Sequence, residues 1–559
     1  MENMMANLNF DARKHTPRQE STDIEDQARD TTRVWSPYQA DIFNFIEFGT
    51  GNAIVEAVAG SGKSTTLVEG MKRVRGSSLF LAFNKSIADE LKNRGVNART
   101  FHSLTYSVVT RHKNQRAVET NKLRLLCDQN LSGLNSKKYG SFIQRLVGLA
   151  RQVGMGILVQ DTEETWMNIC VHHDLEPDTD NSDIGEGIEL ARTIFDLSNK
   201  SPLVDFDDLL YIAVRDGLSL QKFDFVFVDE AQDTNAIQRA LLRKVMHKDS
   251  RIIAVGDPAQ AIYGFRGADS DSLDLIASEF NCVKLPLTIS YRCPTEVINY
   301  AKKWVSHIEA APNAKQGSVQ SVSKWNGSIF KANDLVVCRN TKPIIVLAYK
   351  LLREGVPMRI MGKEIGQGLK SLINKMKTSD FERLEDKLND YCVREVEKYV
   401  AKSDDAKAEA IHDKISAILC LMRSLPEGER TIQHLMWTID SLFAEGVEQV
   451  LLSTIHKAKG LEANNVFWLN SSLCPAPWVK KSWQQQQELN LCYVATTRAK
   501  DNLLLIEIDD YREDTEDSVL REQMVDIEAE KYEDVVDIFN KTISKEVRNL
   551  VDDYGDVPF

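Results

Sequence analysis

From Val34 onward the chain alternates short apolar runs with polar loops and longer amphipathic stretches. "NAIVEAV" (52–58) and "SLFLAF" (78–83) have strand length, and each leads into a polar turn and then a helix-period segment. The alternation returns at "FDFVFVDEA" (223–231) and "RIIAVGD" (251–257). Apolar runs bounded by helical sequence predict a parallel sheet covered on both faces, because such strands are buried from both sides. A second alternating region begins at "CVKLPLT" (282–288), passes through "DLVVCRN" (334–340), and resumes at "VEQVLLSTIH" (447–456), "NVFWLN" (465–470) and "DNLLLIEI" (501–508). Charged, Leu-spaced helical sequence such as "FERLEDKLNDYCVREVEKYV" (381–400) interrupts it.

This pattern divides the chain into an α/β plan with two inserts. A polar arm without apolar period (1–33) precedes a first α/β domain in two parts (34–111 and 201–285), split by a helical insert (112–200). The second α/β domain also has two parts (286–369 and 446–508), around a short helical insert (370–445). The remainder, 509–559, is an acidic tail.

A length of 559 residues calls for several domains, and 43% hydrophobic with 27% charged residues is an ordinary globular composition. The chain has no apolar run long enough to cross a bilayer and no signal-peptide layout at its start, so a cytoplasmic or nucleoid location without membrane contact is expected. Nine scattered cysteines, none in a CxxC pair, read as reduced packing thiols rather than metal ligands or disulfides. The net charge of −13 argues against a nucleic-acid partner only until it is located. The tail carries 6 Lys/Arg against 17 Asp/Glu, which accounts for most of it and leaves a near-neutral body able to hold local basic patches.

Two motifs carry chemistry. "AVAGSGKSTTL" (57–67) approximates the phosphate loop GxxxxGK[ST], with Ala57 where the first glycine is usual. It lies between a strand and a helix, so Gly60 and Gly62 let backbone N–H groups approach phosphate at a helix N-terminus, with Ser61 and Thr65 in the same ATP-binding stretch. Lys63 then reaches the outer phosphates, and Ser64 offers a hydroxyl to magnesium. Asp229 and Glu230 end the apolar run of "FVFVDEAQD". A carboxylate there can hold magnesium, and its neighbour can polarise the attacking water.

With these two motifs the order "VGDPAQAIYGFRGA" (255–268), "TISYRCP" (288–294), "LLSTIHKAKGLEANNVF" (451–467) and "LCYVATTRAKDNLLL" (491–505) resembles the superfamily 1 DNA helicases of UvrD/Rep/PcrA type. "SPYQ" (36–39) resembles their adenine-reading motif, and "AFNKSIADEL" (82–91) and "RTFHSLTY" (99–106) their early DNA-contact motifs. "FNKSIA", "FHSL" and "HKAKGLE" beside a short second insert are most similar to the F-box DNA helicase subgroup. The resemblance implies two RecA-like motor domains using ATP and Mg2+. It assigns Gln39 to adenine, Tyr291 to stacking on it, and Gly460 and Glu462 to the nucleotide, Glu462 at its sugar. Gln260 is implied as the sensor of the terminal phosphate, with Arg292 and Arg498 as arginine fingers from the second domain. Phe83, Asn84, His102, Tyr263, Phe265, Arg266, His456 and Lys457 match positions that line the single-strand groove. Aromatic faces there stack on any base, and Arg pairs with phosphate. Relatives commonly carry Trp at the position of Phe265 and Arg at that of Thr65.

The expected activity is an ATP-dependent motor on single-stranded DNA and at single/double-strand junctions, with 3′-to-5′ travel implied by the resemblance. The rivals are a motor that strips proteins from single strands and a DNA-binding scaffold switched by ATP. RNA as the track stays open, because stacking and phosphate grip do not read the 2′-hydroxyl. In the tail, Leu520, Met524, Ile527, Val535, Phe539, Ile543, Val547 and Leu550 stand mostly three or four residues apart, an amphipathic helix pattern with a frame break near Tyr532. Its last residues, "DDYGDVPF", resemble the acidic Pro-Phe tip of bacterial single-stranded-DNA-binding proteins. That tip makes Asp556–Phe559 a candidate dock for a protein partner.

Overall fold

Six strands of the first half pair entirely in parallel, in the order β3-β2-β4-β5-β1-β6. They are β1 (Asn52–Ala57), β2 (Ser78–Leu81), β3 (Ala98–Arg99), β4 (Phe223–Val228), β5 (Met246–Gly256) and β6 (Cys282–Leu287). In the computed structural model, residues 34–508 are described, apart from Asp174, Asp180, Asn181, 265–270, 402–404, Val447, Trp478 and Lys480. The expectations for the arm 1–33, the tail 509–559, Phe265 and Arg266 fall outside the described residues.

The order places β1 between β5 and β6, and β4 between β2 and β5, so the carboxyl ends of β1, β4 and β5 lie side by side. That is where open α/β sheets collect ligands, because loops and helix N-termini converge there. The apolar residues Ile54, Val226, Val228, Ile252 and Ala254 pack under one face, against the helices of the first insert. Ala53, Val55, Phe80, Phe227, Ile253 and Val255 pack under the other, against the helices Pro37–Phe48 and Lys63–Met71. Burial on both faces explains why these strands read as apolar runs rather than as strict alternation.

"CVKLPL" differs from its expected place. As β6 it pairs with β1 from Asn52↔Cys282 to Ala57↔Leu287, and so belongs to the first sheet. Periodicity marks a strand but does not say which sheet receives it. Lys284 on this edge strand pairs with Glu56 of β1 at 2.7 Å, a contact invisible to local pattern.

The first insert is a helical body that includes Lys122–Asn130, Gly133–Gln152, Glu163–His172 and Ile184–Lys200. A buried ionic knot ties it to the helix Phe206–Arg215, where the chain re-enters the motor: Lys122 meets Asp208 at 2.6 Å, and Arg151 meets Asp205 at 2.8 Å and Asp208 at 3.0 Å. Removing one partner from such a pair strands the other charge in a dry interior, so the knot fixes the orientation of the insert.

A second sheet, also wholly parallel, has the order β11-β12-β10-β13-β14-β9. Its strands are β9 (Ser318–Val322), β10 (Leu335–Cys338), β11 (Met358–Ile360), β12 (Val450–Thr454), β13 (Ala463–Leu469) and β14 (Ala499–Ile506). A two-stranded pair, β7 (Ile289–Ser290) and β8 (Glu309–Ala310), leads into it. Between β11 and β12 the helical insert runs from Lys363–Lys375 through Phe381–Ala401 and Asp405–Ser424 to Ile432–Leu442. It therefore starts earlier than 370. Gly366 allows this first helix close approach: a Cβ there would stand 2.8 Å from the Phe443 ring.

Candidate active site

β1 ends at Ala57, which is 2% exposed and paired with Leu287 of β6. The missing first glycine is thus a strand residue, and the left-handed backbone falls only on Gly60 (φ 73°) and Gly62 (φ 81°). Gly60 is needed for a second reason. A Cβ there would sit 2.5 Å from the Cβ of Arg292 and 2.8 Å from Ser290 Oγ, so the loop lies directly against the chain leading into the second sheet. The backbone of that chain is anchored to the loop by Tyr291 N–H donating to Gly60 O at 2.8 Å. Ser61 in this loop is fully buried, and its Oγ has no hydrogen-bond partner among the described residues.

The helix Lys63–Met71 starts at Gly62 and offers its N-terminus to the loop. Lys63 Nζ stands 3.8 Å from Glu230 Oε1, and the Ser64 hydroxyl donates to Asp229. Burial, reinforced by the adjacent Glu230, pushes Asp229 up to about 6. Burial would do the same to Glu230, but Lys63 and Lys459 outweigh it and hold Glu230 down at about 2. Glu230 also adopts a left-handed backbone (φ 52°, ψ 41°), a costly conformation for a residue with a Cβ. Gln232 keeps it there, donating to the Glu230 carboxylate while its own carbonyl accepts from Asp257 N–H at 3.1 Å.

Across the cleft, Glu462 and Arg498 stand just before β13 and β14, whose first residues Ala463 and Ala499 are paired. Arg498 is 1% exposed; Nε donates to Val494 O at 2.9 Å, and Nη2 reaches Gln260 Oε1 at 3.4 Å. Gln260, on the turn after β5, donates to Asp257 at 2.6 Å. Arg292 donates to Glu462 at 2.6 Å, and Lys500 lies 2.5 Å from the same carboxylate. Burial alone would raise Glu462, but these two cations hold it below the ordinary range.

The aromatic residues cluster on the neighbouring strand ends. Phe83, after β2, is 45% exposed and stacks on Tyr263, with centroids 5.9 Å apart and planes within 6°. His102, after β3, meets the edge of Phe206 at 6.1 Å. A cavity of about 270 Å³ runs from Phe83, His102 and Tyr263 to Asp229, Glu230 and Asp233, so the aromatic track and the acidic pair share one wall.

Residues 38–281 match the profile of the UvrD/REP helicase N-terminal domain, and residues 367–510 that of the UvrD-like helicase C-terminal domain. The chain belongs to the UvrD-like helicase family. It is 25% identical over 494 residues to F-box DNA helicase protein 1 of Schizosaccharomyces pombe, covering 81% of this chain and 55% of that protein. Likeness to F-box DNA helicase 1 of Gallus gallus is 24% over 501 residues, 81% of this chain and 47% of the other. DNA helicase II of Haemophilus influenzae is 26% identical over 295 residues, 46% and 38% of the two chains. The chain spans about half the length of the two F-box relatives.

In this UvrD-like chain the cleft brings together Gly60, Ser61, Gly62, Lys63, Ser64, Asp229, Glu230, Gln260, Arg292 and Arg498. Gln39 is 2% exposed, with its carbonyl accepting from Ser36 N–H at 3.1 Å and its amide donating to Thr66 at 3.0 Å. Tyr291 is 45% exposed beside the loop. Thr65 follows Ser64 in the first turn of the helix, and Gly460 (φ 90°) turns the chain before Glu462. Asn84 caps the helix Lys85–Asn93 through Oδ1, accepting from Ile87 N–H at 2.9 Å. His456 accepts from Tyr263 through its carbonyl at 3.3 Å, and Lys457 lies against Gly362.

Sequence reasoning missed Lys459, which donates to Asp233 at 2.6 Å and to Gln260 O at 2.7 Å while standing 4.9 Å from the Tyr263 ring centroid. It also missed Phe206, 54% exposed at the start of its helix. The only local signal for Lys459 was its place inside "HKAKGLE", and for Phe206 an aromatic heading "DFDDL".

The donor set fits magnesium: a hydroxyl and a carboxylate, both oxygen, at a phosphate cradle. Among the described residues no cluster of three or more His, Cys, Asp or Glu forms an alternative metal site, and no helix is long and apolar enough to cross a membrane.

Asp207, which lines the cavity, gives a pH-dependent prediction. Burial and Asp205 push it from 3.8 up to about 6, so the folded chain binds this proton more tightly than the unfolded one. The stability it confers when protonated is lost as pH rises through 6. Asp207→Asn is therefore expected to melt higher than the parent, with a gap that widens from pH 4 to 6.5 and is constant above. Thermal melts across that range check it, and a gap that shrinks with rising pH would contradict the burial argument.

Proposed function

We propose that the protein is an ATP-driven motor on single-stranded DNA, a helicase travelling 3′ to 5′. The observation that carries this reading is the turn after β5. It holds Gln260 against Arg498 in the nucleotide cleft and, three residues on, Tyr263 against Phe83 in the aromatic track. One short segment thus touches both the phosphate chemistry and the polymer.

Ser64 and Asp229 would hold Mg2+, which when bound neutralises charge on the phosphates. Lys63 and the loop N–H groups grip the outer phosphates. Glu230, kept ionised by Lys63 and Lys459, orients and deprotonates the attacking water. Arg292, on the chain leading into the second sheet, and Arg498, just before β14, supply planar donors, so that turnover requires the two sheets to close. Gln39 and Tyr291 hold the base. Phe83, His102 and Tyr263 stack on successive bases, with Phe265, Arg266, Asn84, His456 and Lys457 completing the strand grip. The F-box DNA helicases and DNA helicase II among the relatives support the choice of DNA and of strand separation. The tail tip Asp556–Phe559 remains a proposed protein dock.

ATPase with and without oligo-dT, and unwinding of 3′-tailed, 5′-tailed and blunt duplexes, test the proposal. Stimulation by oligo-dT and unwinding of the 3′-tailed substrate are expected. Phe83→Ala should weaken oligo-dT binding about tenfold or more, given roughly 1–3 kcal/mol per stacked base. Absence of stimulation by any single strand sinks the motor reading.

A further inference from the structure

The helix Ser482–Thr496 ends two residues before Arg498 and lies across the turn Pro258–Gly264. Three of its side chains, at a spacing of four and then three, hold that turn. Asn490 Nδ2 donates to Pro258 O at 3.2 Å and to Ala261 O at 2.9 Å, bracketing Gln260 from both sides. Gln487 and Trp483 close over Gly264, where a Cβ would stand 2.0 Å from Gln487 Nε2 and 3.1 Å from the Trp483 ring. Asn490 is 4% exposed, and its carbonyl accepts from Gln486 at 3.0 Å, so its amide is oriented with both N–H groups toward the turn. The carbonyl between the bracketed pair, Gln260 O, is taken by Lys459. Every carbonyl from Pro258 to Ala261, except that of Ala259, is therefore satisfied by the second half of the chain.

We infer that Asn490 is the positioning residue that ties movement of the second sheet to the turn carrying Gln260 and Tyr263. The Ala261 carbonyl is buried and does not release its donor without replacement, and the part-buried bond to Pro258 adds a second point of attachment. A shift of the helix that moves Arg498 toward or away from the cleft must therefore carry Pro258 and Ala261 with it. Tyr263, two residues beyond Ala261, then changes its stack on Phe83. Lys459 restrains the middle of the turn through one flexible ammonium, whereas the Asn490 amide, fixed at two points, transmits rotation as well as translation.

The inference rests on the motor reading, and its test separates the two. Binding of labelled oligo-dT to the full chain is measured with and without a non-hydrolysable ATP analogue and Mg2+, for the parent, Asn490→Leu and Asn490→Ser. In the parent the analogue should change oligo-dT affinity about fivefold or more. In Asn490→Leu, which keeps the volume and removes both donors, that factor should fall to within about twofold, while affinity for oligo-dT alone and for analogue alone stays within about threefold of the parent. Asn490→Ser, with one donor, should be intermediate, and it decides the question if the Leu variant melts at the assay temperature. A purely structural role would lower stability and both affinities without singling out their coupling. A parent-like factor in a folded variant overturns the inference. No effect of analogue in the parent, together with no DNA-stimulated ATPase, overturns the motor reading instead.

Discussion

Exchanging Glu230 for Gln should lower ATP turnover by about a thousandfold while nucleotide affinity stays within a few-fold of the parent. The substitution keeps length and shape, and the left-handed backbone at this position penalises Glu and Gln alike. The acceptor of a proton is what disappears. Two features support the proposed assignment of Glu230, rather than Asp229, as the ionised carboxylate that faces the attacking water. Asp229 is engaged by the Ser64 hydroxyl and raised to about 6 by burial and by its neighbour, so its charge is reserved for a cation. Glu230 is held far below neutrality because Lys63 and Lys459 outweigh its burial, and it stays ionised at any working pH. Single-turnover hydrolysis with a separate titration of a fluorescent nucleotide distinguishes lost chemistry from lost binding. A turnover within tenfold of the parent would remove Glu230 from the role, and a large loss of affinity would make it a nucleotide anchor instead.

The parts of this cleft that were legible in the sequence are those whose chemistry needs neighbouring residues. Gly60, Gly62, Lys63 and Ser64 must be contiguous because one loop and one helix start make the cradle. Asp229 and Glu230 must follow an apolar run because the strand delivers them. The two sheets were legible for a similar reason, since burial on both faces leaves apolar runs in the chain. What was not legible depends on pairing at a distance. β6 carries the pattern of a strand but joins the first sheet through β1, more than 200 residues earlier. β9, "SVQSV", is an edge strand that buries little and leaves no apolar run. Lys459 and Asn490 act on main-chain carbonyls across the cleft, and a carbonyl has no sequence signature. Ala57 is the converse case. It breaks the phosphate-loop pattern on paper, yet it lies in β1 paired with Leu287, where a glycine's freedom has no use.

Arg498→Lys should reduce kcat by about a hundredfold or more, nearly as much as Arg498→Ala, although it retains a formal cation. The guanidinium divides its donors in one plane among Val494 O, Leu461 O, the Thr497 hydroxyl and Gln260, four directions fixed by the fork. An ammonium on a flexible stem cannot serve them together, so Gln260 loses its partner from the second sheet. Charge is lost as well. Burial, with Arg292 nearby, already draws Arg498 from 12.5 down to about 10, a value that leaves it cationic at neutral pH. A lysine in the same place starts near 10.4, and the same two effects drive it toward neutrality. The sign of the pH response follows. Desolvation lowers the pKa of a cation, so the lysine variant regains charge as pH falls, and its residual kcat should rise from pH 8.5 to 6.5 relative to the parent. Steady-state ATPase with saturating oligo-dT across that range measures both effects. A lysine variant within threefold of the parent would show that charge alone suffices at this position, and that the planar bond to Gln260 is not what closes the cleft.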